Sequence, residues 1–129
     1  MSKTRMGRVQ LRIMRVLWQR GTANAREISD SLNADEPIAH STVQTLLRKL
    51  EGKGSIAHNL DDRTFIYYPL VEEKRVTQSA TRELIERAFG GSAAGLVAYL
   101  LREERIPPRE LQAIRTLINE KAARRGASS

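Results

Sequence analysis

The sequence predicts a mainly α chain interrupted by one small β-hairpin. Apolar residues recur at spacings of three and four over most of its 129 residues. After Gly54 the period switches to alternation in "SIAHNL" and "TFIYYPL", and beyond Pro69 the helical period returns.

In chain order, "RVQLRIMRVLWQ" (residues 8–19) puts Leu11, Met14, Leu17 and Trp18 on one side and predicts a first helix that stops near Gly21. In "NAREISDSL", Asn24 can cap a second helix by accepting a backbone N–H. Glu27, three residues later, completes a capping-box pattern, with Ile28 and Leu32 facing inward. This helix is expected to end around Asn33, and "NADEPIA" is a loop containing Pro37. A third helix runs from about Ala39 or His40 to Gly52 or Gly54. Its apolar stripe is Val43, Leu46, Leu47 and Leu50, while Ser41, Thr42, Gln44, Thr45, Arg48 and Lys49 fall mainly on the other side. The alternating runs, joined by the turn residues "DDR", read as a two-stranded hairpin ending at Pro69.

Val76, Ala80, Leu84, Ile85 and Ala88 carry a helix over about 71–89, which "GGS" at residues 90–92 breaks. Two more helices are expected over about 93–104 and 109–123, separated by Ile106, Pro107 and Pro108, with "RRGASS" as a frayed tail. The resulting division is 1–70 for the helices and hairpin, and 71–129 for a helical segment.

Composition excludes several function classes. There is no cysteine, hence no disulfide framework, thiolate zinc site, iron–sulfur cluster or cysteine nucleophile. No apolar run approaches the roughly 20 residues that span a bilayer, and the basic start leads into an amphipathic pattern. A soluble cytoplasmic chain without membrane insertion, cofactor or metal is expected. The adjacent pairs Glu72-Glu73 and Glu103-Glu104 point apart on helices, and no phosphate loop, HExxH or GxSxG occurs, so no enzyme is expected. His40 reads as a capping or DNA-proximal residue and His58 as a strand surface residue. Trp18, Phe65, Tyr67 and Tyr68 read mainly as core and hairpin packing.

The formal charge is +7, and Lys3, Arg5, Arg8, Arg12, Arg15, Arg20 and Arg26 all precede the first acidic residue, Glu27. Such an unopposed positive field suits a polyanion. Three helices followed by a hairpin is the order of a winged helix-turn-helix, whose third helix enters the DNA major groove while the hairpin wing touches the backbone. The polar face of residues 41–49 offers hydroxyls and an amide for base edges, and cationic groups for guanine or phosphate. Arg63 in the hairpin turn and Arg12 on the first helix are candidate phosphate contacts. The alternative is a winged-helix protein-interaction module whose charge serves solubility, and that function would favour a more apolar face.

"LRIMRVLW", "TLLRKLEGKGSIAH" and "FIYYPLVEE" resemble, in order and spacing, the penicillinase and methicillin-resistance repressors of the BlaI/MecI family. The resemblance runs from about Leu11 to about Asn119 and is strongest over residues 38–73. It implies a dimeric repressor on a dyad-symmetric DNA operator, with DNA-facing positions at Ser41, Thr42, Gln44, Thr45 and Lys49 and Arg48 close by. Gln44 stands where some relatives have arginine, which implies a different operator. The resemblance further implies release through a membrane sensor protease and a cut in the dimerisation segment at an Asn-Phe bond. Here the aligned bond is Tyr99-Leu100, which departs from that pattern. The copper-sensing branch uses cysteine pairs that this chain lacks.

After Gly90, Leu96, Val97, Leu100 and Leu101 fall on one helix face, and Leu111, Ile114, Leu117 and Ile118 on another. Two short helices expose more apolar surface than they can cover for each other, so these residues are expected to form a homodimer interface.

Overall fold

The structure is a computed structural model, and it describes residues 2–128. Among these described residues, six helices and three short strands follow the order α1 (Arg8–Arg20), β1 (Ala23–Asn24), α2 (Ala25–Asn33), α3 (His40–Gly52), β2 (Ile56–Asp61), β3 (Thr64–Pro69), α4 (Glu73–Phe89), α5 (Ala93–Glu103) and α6 (Pro108–Ser128). This is the expected winged-helix order, with one addition. The hairpin is part of a three-stranded antiparallel sheet, because Ala23 and Asn24 pair with Tyr67 and Ile66 to give the order β1-β3-β2. A two-residue strand is too short to show any period, so no sequence pattern announces it.

One core unites α1, α2, α3 and the sheet. Ile13, Met14, Leu17, Ile28, Val43, Leu47, Leu50 and Ile56 are fully enclosed. The stripe on α1 is wider than the sequence reading: Ile13 and Val16 are buried and Leu11 only half-buried. The cause is that α1 packs against α2, α3 and the sheet together. Trp18 is half-buried, and its indole N–H donates to the Val71 carbonyl at 2.9 Å, satisfying the one polar atom that packing would otherwise strand.

The capping box at α2 forms as read: the Glu27 N–H donates to Asn24 Oδ1 at 2.8 Å, and the Asn24 N–H to Glu27 Oε1 at 2.9 Å. The segment before α1 is tied down as an arm. Ser55 Oγ donates to the Lys3 carbonyl at 2.6 Å, and the Lys53 ammonium donates to the Arg5 carbonyl and, at 3.2 Å, to Gln10 Oε1. Partial burial holds that ammonium below the ordinary lysine range. Lys3 also lies over Gly54, whose φ of +82° and nearby Lys3 side chain make any Cβ there costly.

Two compact units divide the chain, one ending at Glu83 and the other beginning at Leu84, so the division falls within α4 and later than the sequence division at residue 70. The first part of α4 belongs to the winged-helix unit, where Val76 is buried and Arg5 pairs with Glu83 at 3.1 Å. In the second unit, Ser92 Oγ caps α5 by accepting from the Gly95 N–H at 2.9 Å, and Phe89 meets Tyr99 edge to face. The last helix continues to Ser128, beyond the expected end near Ala123. Arg124 and Arg125 favour helix and suit its carboxyl end, so Gly126 alone does not stop it. No single described helix is long and apolar enough to cross a membrane.

Candidate nucleic-acid interface

α3 presents two chemically distinct faces. Val43, Leu47 and Leu50 have no exposed surface, while Ser41, Thr42, Gln44, Thr45, Arg48 and Lys49 are all exposed. The helix is therefore fixed by its back and free on its polar front. Within that front, Thr45 Oγ1 donates to the Ser41 carbonyl at 3.0 Å, so its one hydrogen is used and its lone pairs remain. Arg48 Nη2 reaches one of those lone pairs at 3.4 Å, which orders the guanidinium over the middle of the helix.

The turn between α2 and α3 sets the pitch of this face, and side chains fasten it. Asn33 Nδ2 donates to the carbonyls of Ser29 (2.8 Å) and Ile38 (3.1 Å), and Asn33 Oδ1 accepts from the Ile38 N–H at 2.9 Å. His40 joins the start of α3 to the buried Ser29 of α2 through a 2.6 Å Nδ1 to Oγ hydrogen bond. Residue spacing shows neither fastening, because both join residues across the loop.

Arg12, expected to reach phosphate, is occupied inside the unit instead. Only 12% of its side chain is exposed; Nη2 donates to the carbonyls of Leu32 (3.0 Å) and Glu36 (3.2 Å), with the Glu36 carboxylate 3.8 Å from Nη1. The guanidinium thus closes the carboxyl end of α2, where the helix dipole favours a cation and the Leu32 carbonyl, already accepting from the Asp35 and Glu36 N–H groups, takes a third donor. Arg12→Ala is expected to destabilise the fold by about 1–3 kcal/mol through loss of the charge-assisted bonds that tie α1 to the carboxyl end of α2. The salt dependence of DNA binding should stay that of the unaltered chain; denaturant unfolding and a salt titration measure the two effects.

The hairpin forms the wing. Asp62 and Arg63 link β2 to β3 as a two-residue turn, and both have positive φ, 46° and 70°. Glycine, asparagine or aspartate is the usual occupant of such positions, so an arginine with its side chain exposed there carries a local backbone cost. His58 is more than the strand surface residue that its position suggests. Its ring stacks on Phe65 at 3.8 Å and lies edge-on to Tyr67, and Nδ1 bonds Glu51 of α3 at 2.5 Å. The wing and α3 are joined through this imidazole. Tyr67 is buried beside it; desolvation first, then the Glu51 carboxylate, push its phenol above the ordinary range, so it stays neutral.

In the second unit, none of the described side chains of α5 or α6 is buried. Val97, Leu100, Leu101, Leu111, Leu117 and Ile118 are 39–63% exposed, while Leu96 and Ile114 are half-buried. Leu101, Pro108, Leu111, Ile114 and Ile118 line a cleft of about 630 Å³. Tyr99 and Leu100 lie within α5, so the bond between them is helical.

A capped helix, a fastened turn, an exposed polar helix and a wing define a winged helix-turn-helix, the class of many DNA-binding transcription regulators. A family model described as penicillinase repressor matches residues 6–120, and the chain belongs to that family of DNA-binding transcriptional repressors. Among its relatives, the methicillin resistance regulatory protein MecI of Staphylococcus aureus is 27% identical over 109 residues, covering 84% of this chain and 89% of that one. The transcriptional regulator BlaI of Mycobacterium tuberculosis is 28% identical over 126 residues, covering 95% and 89%. The solution structure of the DNA-binding domain of the repressor BlaI is similar with a TM-score of 0.52 and 28% identity, over 56% of this chain and 88% of that domain. The complex structure of hsRosR-S1 shares the fold over 95% of this chain and 97% of that one, with a TM-score of 0.54 and 21% identity.

Proposed function

We propose that the chain is a sequence-specific transcriptional repressor that binds a dyad-symmetric double-stranded operator as a homodimer. The observation that carries this reading is the uninterrupted polar front of α3, with Ser41, Thr42, Gln44, Thr45, Arg48 and Lys49 exposed over a rigid apolar back. An interaction module would be expected to place apolar anchors there. The known relatives MecI and BlaI support the same assignment by name.

Thr45, Gln44 and Arg48 read base edges; Ser41, Thr42 and Lys49 contact bases or phosphates at the ends of the helix. Arg63 grips the backbone from the wing. The apolar surfaces of α5 and α6 hold two subunits together, which sets two recognition helices on half-sites about one DNA turn, or a multiple of it, apart. Cleavage between Ala93 and Glu104 would separate the subunits and relieve repression, and a membrane sensor protease is the proposed origin of that signal. Because Tyr99-Leu100 lies in a helix, a cut there requires local unwinding. The test is retention by a duplex carrying the chain's own promoter region in excess unrelated DNA. Equal retention by both duplexes would overturn the assignment.

Arg63 gives a prediction of opposite signs. Arg63→Gly should stabilise the isolated fold by up to about 1 kcal/mol, because glycine relieves the positive φ. It should also weaken binding to operator and random DNA alike and lower the salt slope by roughly one. Thermal unfolding and a salt titration on one protein preparation measure both; weaker binding confined to the operator would remove Arg63 from the backbone contacts.

A further inference from the structure

We propose that the cleft between the amino-terminal arm and α4 is a phosphate-binding site, separate from the face of α3. Thr4, Arg75, Gln78, Ser79 and Arg82 line this cleft of about 360 Å³. The four α4 residues occupy one side of the helix, with the two guanidiniums two turns apart, roughly 10 Å along the axis. Both arginines are exposed, and among the described residues neither joins an ion pair, whereas Arg5, which belongs to the same arm, is held by Glu83.

The floor supplies a donor as well. Thr4 Oγ1 donates to Ser79 Oγ at 3.2 Å, so its single hydrogen is spent. Ser2 Oγ, 3.1 Å from Thr4 Oγ1, must then be the donor in that pair. Hydrogens therefore run Ser2 to Thr4 to Ser79, which leaves the hydrogen of Ser79, a residue lining the cleft, available for a ligand. Thr81 and Thr116 turn their hydroxyls back on the carbonyl four residues earlier; among the described bonds Ser79 makes no such return. Two guanidiniums outside any described ion pair and a hydroxyl hydrogen with no described acceptor suit an oxyanion, and a cleft of this volume holds a phosphate carried on a larger molecule.

That phosphate comes either from the DNA backbone or from a small phosphorylated compound, and one pair of proteins distinguishes them. The DNA alternative rests on the repressor reading and the small-molecule alternative does not. The full chain and R75Q/R82Q are titrated with adenosine monophosphate by calorimetry, using adenosine as the uncharged counterpart, and both are titrated with operator DNA at several salt concentrations. Both substitutions lie on an exposed helix surface, and circular dichroism checks that the fold is kept. A free-phosphate ligand is shown by binding of the monophosphate but not adenosine, at least about tenfold weaker in the double variant. A DNA phosphate is shown by a salt slope lower by roughly one to two in the variant, without monophosphate binding. The proposal is overturned if the double variant matches the full chain in both titrations. Loss of operator binding by the unsubstituted chain would overturn the repressor reading instead, leaving the monophosphate titration to decide this site.

Discussion

Truncation after Phe89 is expected to yield a folded, monomeric winged helix that binds the full operator at least about tenfold more weakly than the intact chain. The core of α1, α2, α3 and the sheet lies before the cut, as does Val76, which seats the first part of α4. The removed residues include α5 and α6, which bury none of their described side chains, so little folding energy leaves with them. They do carry the apolar surface proposed to hold the dimer. Without it each half-site is bound by a separate molecule, and the second contact loses an effective concentration on the order of millimolar. Sedimentation and operator titration of both chains measure the effect. A truncated chain that still dimerises, or an intact chain that is monomeric at micromolar concentration, would refute this assignment of α5 and α6.

Thr45→Ala and Arg48→Ala should each narrow the gap between operator and random DNA by about 1–3 kcal/mol, the worth of a good base contact. Thr45 has spent its hydrogen on Ser41, so it meets a base as an acceptor and through its methyl group. It thus matches an amino group or a thymine methyl. Arg48 uses Nη2 on Thr45 at a long 3.4 Å and is free to exchange that bond for guanine. Removing Thr45 therefore also loosens Arg48, and the two effects should be less than additive in a double variant. Competition binding against random duplex measures the gap. Equal losses on both DNAs would move the reading function off these residues.

What could be read from the sequence is what is decided locally. Asn24 and Glu27 bond within four residues of each other, and the period of Val43, Leu47 and Leu50 records which side of α3 is enclosed. The exposed front of α3 follows from the same period. What could not be read depends on partners distant in sequence. Arg12 has the same charge as Arg15, and only the nearness of the α2 end makes it a clamp. His58 is one residue of an alternating strand until α3 brings Glu51 beside it. The bond from His40 to Ser29 spans a loop whose course no periodicity fixes. For the same reason no local pattern marks β1: Ala23 and Asn24 are a strand only because Tyr67 and Ile66 are there to pair with.

The absence of buried side chains among the described residues of α5 and α6 bears on how sharply a cell could switch the regulated genes. On the proposed reading, completing those helices requires two chains to meet, so while dimers are scarce their number grows with the square of chain concentration. Halving synthesis would then remove about three-quarters of the active species in that regime, a steeper response than a monomeric regulator gives. A protease that cuts one chain of each pair would disarm its intact partner too, so the alarm threshold would be set by pairs destroyed rather than by chains destroyed.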